Sequence, residues 1–322
     1  MFKQQSKEII EDDICYDILF TENVLNILDD INSNPIMGED AEDSLLNMTY
    51  KGLTPGTLTL FSANSNGGKT TFLVQNAINL IKNHNKKVLF ISLEQSKEDI
   101  LRLCLSCLTG INRSYVGFTD VMSEEETKKV YNVVLSNVLK NLIIIHLEEF
   151  NSDFDKKLSS ILELLPIDTL IFDYISSEIT YTDNVQRDDL NLKSMTTKLK
   201  NLAIKYNIAV LSGTQLNNSE RDKKCTMRNA SWIRGSYAIP DKADVAMIAS
   251  GDFFKCEEEV AKGLGANLVI DIYKNRKGRN NIKVFRKINF ATFEYTDLMV
   301  TDEEAKKNLT QEITDEIKRL KN

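Results

Sequence analysis

Apolar residues along this chain follow two rhythms. Short, nearly continuous apolar runs recur at 88–93, 142–145, 169–173 and 208–212, and two more follow at 267–273 and 283–288. Between them lie longer stretches whose apolar residues fall three and four apart. Examples are Phe72, Leu73, Ala77, Leu80 and Ile81 within 70–82, and Leu192, Met195, Leu199 and Leu202 within 188–206. The first rhythm marks strands buried on both faces, and the second marks helices with one apolar stripe. Further helices are expected over 97–108 and 155–165, and from Ser123, which opens a capping-box pattern. The alternation predicts an α/β fold, a mostly parallel twisted sheet with helices on both faces.

The two ends of the chain read differently. Residues 8–32 are expected to be helical in one or two pieces, with Thr21 as an N-cap before Val24, Leu25, Leu28 and Ile31. Residues 32–43, with Pro35 and Gly38, read as a flexible joint. The tail, 301–322, reads as a charged amphipathic helix. The expected organisation is a helical acidic extension over 1–46, a core over 47–300, and a C-terminal helix over 301–322.

One stretch carries specific chemistry. Ala63-Asn64-Ser65-Asn66-Gly67-Gly68-Lys69-Thr70-Thr71 fits G-x-x-x-x-G-K-[ST] with Ala in the first position. Residues 57–62 alternate like a strand after a Pro55-Gly56 turn, and 70–82 is helical in pattern. A glycine-rich loop between strand and helix turns backbone N–H groups toward a polyphosphate at a positive helix end. Lys69 supplies a point cation and Thr70 a hydroxyl for Mg²⁺. ATP and Mg²⁺ are the expected cofactors.

Charge and composition narrow the setting. No run approaches the roughly 18 apolar residues of a membrane span, and the first residues lack a signal-peptide pattern. The five cysteines, an odd number in a large chain, point to a reducing, cytoplasmic compartment. Cys104 and Cys107 fall inside an apolar helical run and read as buried thiols. Net charge is −7, of which residues 1–50 carry −10, leaving +3 for the remainder. Two segments are locally basic: 221–234, with Arg221, Lys223, Lys224, Arg228 and Arg234, and 274–286, with Lys274, Arg276, Lys277, Arg279, Lys283 and Arg286. The acidic total therefore does not exclude a nucleic-acid partner, whose phosphates would meet a local surface.

A nucleotide hydrolase needs further groups at the same crevice. Strand C-termini of a parallel sheet converge there. Asp173 ends an apolar strand and is the candidate metal carboxylate. Glu94 follows the strand at 88–93 and is the candidate general base. Gln215 follows the strand at 208–212 and is the candidate polar sensor.

Taken in order, these pieces resemble the ATPase domain of DnaB-type replicative hexameric helicases, within the RecA-like P-loop superfamily. The matching segments are 52–58, the Ala-initiated phosphate loop, Leu89-Phe-Ile-Ser-Leu-Glu94-Gln-Ser-Lys97, Asp173-Tyr174, Thr214-Gln215-Leu216-Asn217, Ile233-Arg234-Gly235-Ser236-Tyr237-Ala238-Ile239, Asp241-Lys242-Ala243-Asp244, and Lys274-Asn275-Arg276-Lys277-Gly278. They cover roughly residues 50–296 in the family's order.

The resemblance implies roles. Lys69 and Thr70 would hold phosphate and Mg²⁺, Asp173 would bind the metal through water, Glu94 would activate the attacking water, and Gln215 would sense the γ-phosphate. Lys274 and Arg276 would reach the site of the next subunit in a ring, expected to be a hexamer. Arg234, Gly235 and Tyr237 would lie on one loop gripping single-stranded DNA, and Arg187 on a second. Gly235 stands where the family usually has an acidic residue, and Tyr237 replaces a small one. The family's N-terminal collar domain finds no counterpart in the 50 residues before the match, and the helix expected there would dock on the neighbouring protomer. A primase or a helicase loader is the expected further partner, and a phage or mobile element in a bacterial cytoplasm a fitting source. A RecA-like recombinase and an ATP-dependent loader or regulator without unwinding activity are the alternatives.

Overall fold

In the computed structural model of this chain, the described residues are 6–11, 14–19, 37–118, 120–147, 154–175, 188–216, 228–233 and 238–321. The chain divides into two compact units, Met1–Ile36 and Met37–Asn322.

The first unit corrects the expected helix. β1 (Ser6–Glu11) and β2 (Ile14–Leu19) pair antiparallel, Ser6 opposite Leu19 and Glu11 opposite Ile14. The residues explain the difference. Ile9, Ile10, Ile14 and Ile18 are β-branched and lose rotamer freedom in a helix, and Tyr16 also favours extended backbone. The helix expected from Thr21 lies outside the described residues.

The second unit is built on a ten-stranded sheet. It opens with a 3₁₀ turn (Glu39–Asp43) and α1 (Leu45–Tyr50), capped by the Ser44 hydroxyl accepting from Asn47 N–H at 3.0 Å. Then come β3 (Leu58–Ala63), α2 (Lys69–Asn83), β4 (Val88–Ser92), α3 (Lys97–Thr109), α4 (Glu124–Leu135), β5 (Leu142–His146), α5 (Phe154–Leu164), β6 (Thr169–Ile175), α6 (Asp188–Lys205) and β7 (Ala209–Gln215). The chain continues through α7 (Ala238–Lys242), β8 (Val245–Ser250), α8 (Lys255–Leu264), β9 (Leu268–Asn275), β10 (Ile282–Ile288), β11 (Tyr295–Asp302), β12 (Lys307–Asn308) and α9 (Thr310–Lys321). The capping box at Ser123 forms as expected, with Glu126 reaching back to the Ser123 N–H.

The strand order is β12-β11-β10-β9-β8-β3-β7-β6-β4-β5. The six strands from β8 to β5 run parallel, and β9 to β12 add an antiparallel meander on the β8 side. Alternate residues of the central strands feed two cores. Phe61, Phe90, Leu211 and Met247 pack with Phe72, Val74 and Ala77 of α2 on one face. Leu60, Ile91, Phe172 and Ile248 pack with Met195 and Leu199 of α6 on the other. This two-sided burial is why the strands read as continuous apolar runs. β8 went unread because Ala246 and Ala249 dilute its strand signal, although every one of its residues is buried.

No helix among the described residues is long and apolar enough to cross a membrane. Cys104 and Cys107 are free, and burial pushes both thiols up. Cys256 is disulfide-bonded.

Candidate nucleotide site

The site starts where β3, flanked on both sides by parallel strands, delivers the chain at Ala63. The loop 64–68 turns there and α2 begins at Lys69. Two glycines are required for different reasons. A Cβ on Gly67 would stand 2.9 Å from the Asn64 carbonyl oxygen and 3.0 Å from the Ala63 Cβ. Gly68 has φ +91°, and a Cβ there would meet the Phe290 ring at 2.6 Å. The fifteen-residue α2 carries no acidic residue in its first turn, so its positive end stays free for an anion.

Lys69 folds back over this loop. Its ammonium donates to the carbonyls of Asn64 at 3.2 Å and Ala63 at 3.4 Å, and stands 5.1 Å from the centre of the Tyr174 ring. Burial lowers its pKa, while Asp173 and Glu94 pull the other way.

Asp173 lies beside it on β6, in register with Ser92 of β4. The Thr70 hydroxyl donates to Asp173 Oδ2 at 2.8 Å, which joins the two residues expected at the metal. Asp173 Oδ1 is buried and has no hydrogen-bond partner among the described residues. Burial raises this carboxyl to about 6, opposed by the Thr70 hydrogen bond and reinforced by the charge of Glu94.

Glu94 sits on the turn that follows β4. Leu93 N–H donates to the Asp173 carbonyl at 2.9 Å. The Ser92 hydroxyl donates to the Gln95 carbonyl at 2.8 Å and accepts from Gln95 N–H at 3.1 Å. These bonds hold the turn while the Glu94 side chain stays exposed. Gln215 ends β7 opposite Ala63 and accepts from the Tyr174 hydroxyl at 3.3 Å.

Together these residues line one cavity of about 410 Å³. Ser65, Asn66, Gly68, Lys69, Thr70, Thr71, Glu94 and Gln215 all face it. Ala63, Asn64 and Gly67 form the loop behind that surface, and Asp173 is reached through Thr70. Gln95, Arg113 and Phe290 were missed. Arg113 follows α3, and its N–H donates to the Ala291 carbonyl at 2.9 Å, so segments 178 residues apart meet at the rim. No local pattern announces such a contact.

Lys274 and Arg276 stand elsewhere. β9 runs antiparallel to β8 with Asn275 opposite Val245, and Val245 is paired with Thr59 at the start of β3. Both cations therefore lie at the end of the sheet where β3 begins, about 16 Å of strand from the end where the phosphate loop leaves. Lys274 donates to the carbonyls of Pro240 at 2.6 Å and Asp241 at 2.9 Å. Arg276 donates to Asp244 Oδ1 and to the Asp241 carbonyl, both at 3.3 Å. Arg187, Arg234, Gly235 and Tyr237 lie outside the described residues.

Residues 41–295 match the family model described as the DnaB-like helicase C terminal domain. The chain belongs to that family. A DnaB-like relative, the replicative DNA helicase DnaB of Buchnera aphidicola subsp. Baizongia pistaciae, is 25% identical over 265 residues, 80% of this chain and 56% of its own. The SPbeta prophage-derived uncharacterized protein YorI of Bacillus subtilis is 25% identical over 312 residues, 87% of this chain and 62% of its own. The chain thus spans between about half and three-fifths of the length of the curated relatives it matches. The solved structure of a DnaB-like replicative helicase, studied with its primase interactions, superposes with a TM-score of 0.69 at 17% identity, covering 87% of this chain and 67% of that one, and shows the same fold.

Proposed function

We propose that this protein is an ATP-driven, ring-forming motor that moves along single-stranded DNA and separates duplex strands during replication. The observation that carries the reading is the division of the chemistry between the two ends of the sheet. Phosphate loop, candidate base and candidate sensor share one cavity, while Lys274 and Arg276 sit at the opposite end of the sheet. A neighbouring subunit, ideally the next of six, brings the two ends together.

The roles follow from this arrangement. The loop N–H groups and Lys69 bind the phosphates. Glu94 accepts a proton from water as the water oxygen attacks the γ-phosphorus and the bond to ADP breaks. Gln215 reads the γ-phosphate and passes the signal to Tyr174. The ring of Phe290 and the Arg113 guanidinium offer a face for the base and a cation for the outer phosphates. Magnesium fits the donors present: a buried carboxylate with one oxygen unpartnered beside a hydroxyl is an all-oxygen, hard ligand pair. Asp173, through water, and Thr70 would hold it. When bound, magnesium draws charge from the phosphate oxygens.

Arg187, Arg234, Gly235 and Tyr237 would grip DNA phosphates without reading sequence, so DNA affinity falls steeply with salt. A primase or loader would dock on the assembled ring, and the whole would operate in a bacterial cytoplasm, including that of a phage-infected cell.

The test mixes two inactive variants, Lys69→Ala and Arg276→Ala. Each alone loses ATPase, and mixed rings recover a fraction because an intact phosphate loop can meet an intact arginine. Co-assembly confirmed by mass, with no recovery, refutes the shared site.

A further inference from the structure

We propose that Asp244 is the positioning residue for Arg276, setting its guanidinium in the orientation in which it meets the neighbouring subunit's nucleotide; this rests on the shared site proposed above. Asp244 lies between α7 and β8 and is buried. Its two carboxylate oxygens have separate partners. Oδ2 accepts from Leu58 N–H at 2.8 Å and from the Lys200 ammonium at 2.7 Å. Oδ1 accepts from Arg276 at 3.3 Å. The backbone repeats the division, with Asp244 N–H donating to the Leu58 carbonyl at 2.9 Å and Arg276 N–H donating to the Asp244 carbonyl at 2.8 Å. Lys200 also donates to the Gly56 carbonyl at 2.8 Å.

The Oδ2 half is a structural clamp. It fixes the start of β3, the strand that carries the phosphate loop, to α6. The Oδ1 half does something else. The Arg276 side chain is 53% exposed, and an ion pair of that exposure contributes little to stability. What the pair does is restrict a long, rotamer-rich side chain. Among the described residues, Asp244 and the Asp241 carbonyl engage two of the five N–H donors of the guanidinium. The rest remain for a phosphate, whose oxygens match the guanidinium fork. Lys274 rests on the adjacent Pro240 and Asp241 carbonyls, so one short segment, 240–244, cradles both cations. Through Asp244, that cradle is bonded to the first residue of β3. The outgoing arginine of one site and the strand feeding the other therefore share a carboxylate.

The distinguishing variant is Asp244→Asn. Its carbonyl can keep the Leu58 and Lys200 bonds, while its amide turns donors toward Arg276 and releases it. Full-chain protein is assayed for kcat, KM, assembly mass and melting temperature. The expected result is an unchanged KM, an intact assembly and a kcat reduced about 10- to 100-fold, the scale set by a misplaced catalytic group. Mixing with Lys69→Ala subunits should restore hydrolysis, because the defect lies in what the chain gives its neighbour. Asp244→Glu, which keeps the anion, should retain more of the rate, and it serves as the reporting variant if the asparagine protein does not fold. A wild-type kcat in Asp244→Asn, or no recovery on mixing, overturns the proposal while leaving the shared site standing. Wild-type hydrolysis by Arg276→Ala refutes the shared site itself, and the role of Asp244 falls with it.

Discussion

Two buried aspartates, Asp173 and Asp271, are both pushed up to about 6 by burial, yet they sit in opposite surroundings. Asp271, on β9, belongs to a cluster of opposite charges drawn from the chain itself, although its Oδ1, like Asp173 Oδ1, is buried without a hydrogen bond among the described residues. Arg228 donates to Asp271 Oδ2 at 2.7 Å and to both oxygens of Glu257 at 3.1 Å. Lys283 donates to Glu257 at 2.6 Å and stands 3.7 Å from Asp271 Oδ1. All four side chains are at most 4% exposed, and the Arg228 guanidinium lies 4.2 Å from the centre of the Phe254 ring. Asp173 has only a hydroxyl as its hydrogen-bond partner, and the nearby lysine has its ammonium bonded to carbonyls. Equal burial thus serves two ends. One carboxylate is balanced by its own chain and ties α8 to β9 and β10. The other keeps its charge for something the chain does not supply.

The comparison can be attacked first at the cluster. Arg228→Leu strips the guanidinium from two buried carboxylates and should destabilise the fold by about 3–5 kcal/mol, read by urea denaturation. A loss under about 1 kcal/mol would mean that the cluster is not balanced as described. The opposite sign is expected at Asp173. A carboxyl with a folded value of about 6 against 3.8 unfolded favours folding only while protonated. That contribution is complete below pH 3.8 and is lost as pH rises through 6. Asp173→Asn should therefore stabilise the free protein by about 3 kcal/mol at pH 7.5 and about half that at pH 5, while abolishing ATPase. Thermal melts at the two pH values test it, and a destabilised variant would reverse the argument. The smallest effect sharpens the contrast from the ligand side. Mg²⁺–ATP at about 100 times its Kd should stabilise the wild-type protein by about 2.7 kcal/mol. Asp173→Asn should lose most of that melting shift, and the Arg228 variant should keep it.

What was legible in the sequence divides along the same line. The phosphate loop is one contiguous stretch with its strand and helix attached, so local pattern suffices to find it. That Asp173, Glu94 and Gln215 lie near one another could be read because strand ends of a parallel sheet converge. The cluster had no such signature. Its members are spread from 228 to 283, and Arg228 and Lys283 were counted in runs that read as candidate DNA-binding surface. Both are buried, as is Arg286, which donates to Asp297 at 2.6 Å. A charge count cannot tell an exposed cation from one folded onto a distant acid. The N-terminal hairpin failed for a different reason: four isoleucines fit either rhythm at short range, and pairing with a second strand decides between them.

The separation of the phosphate loop from Lys274 and Arg276 gives the chain a polarity, with an acceptor at one end of the sheet and a donor at the other. Subunits that join these ends stack head to tail, through a heterologous contact that either closes on itself or grows as a spiral. In an open arc one loop and one arginine are always left over, so complete sites number one fewer than subunits. In the ring proposed above, closing the circle would add the last site, and opening it to admit a DNA strand would silence one.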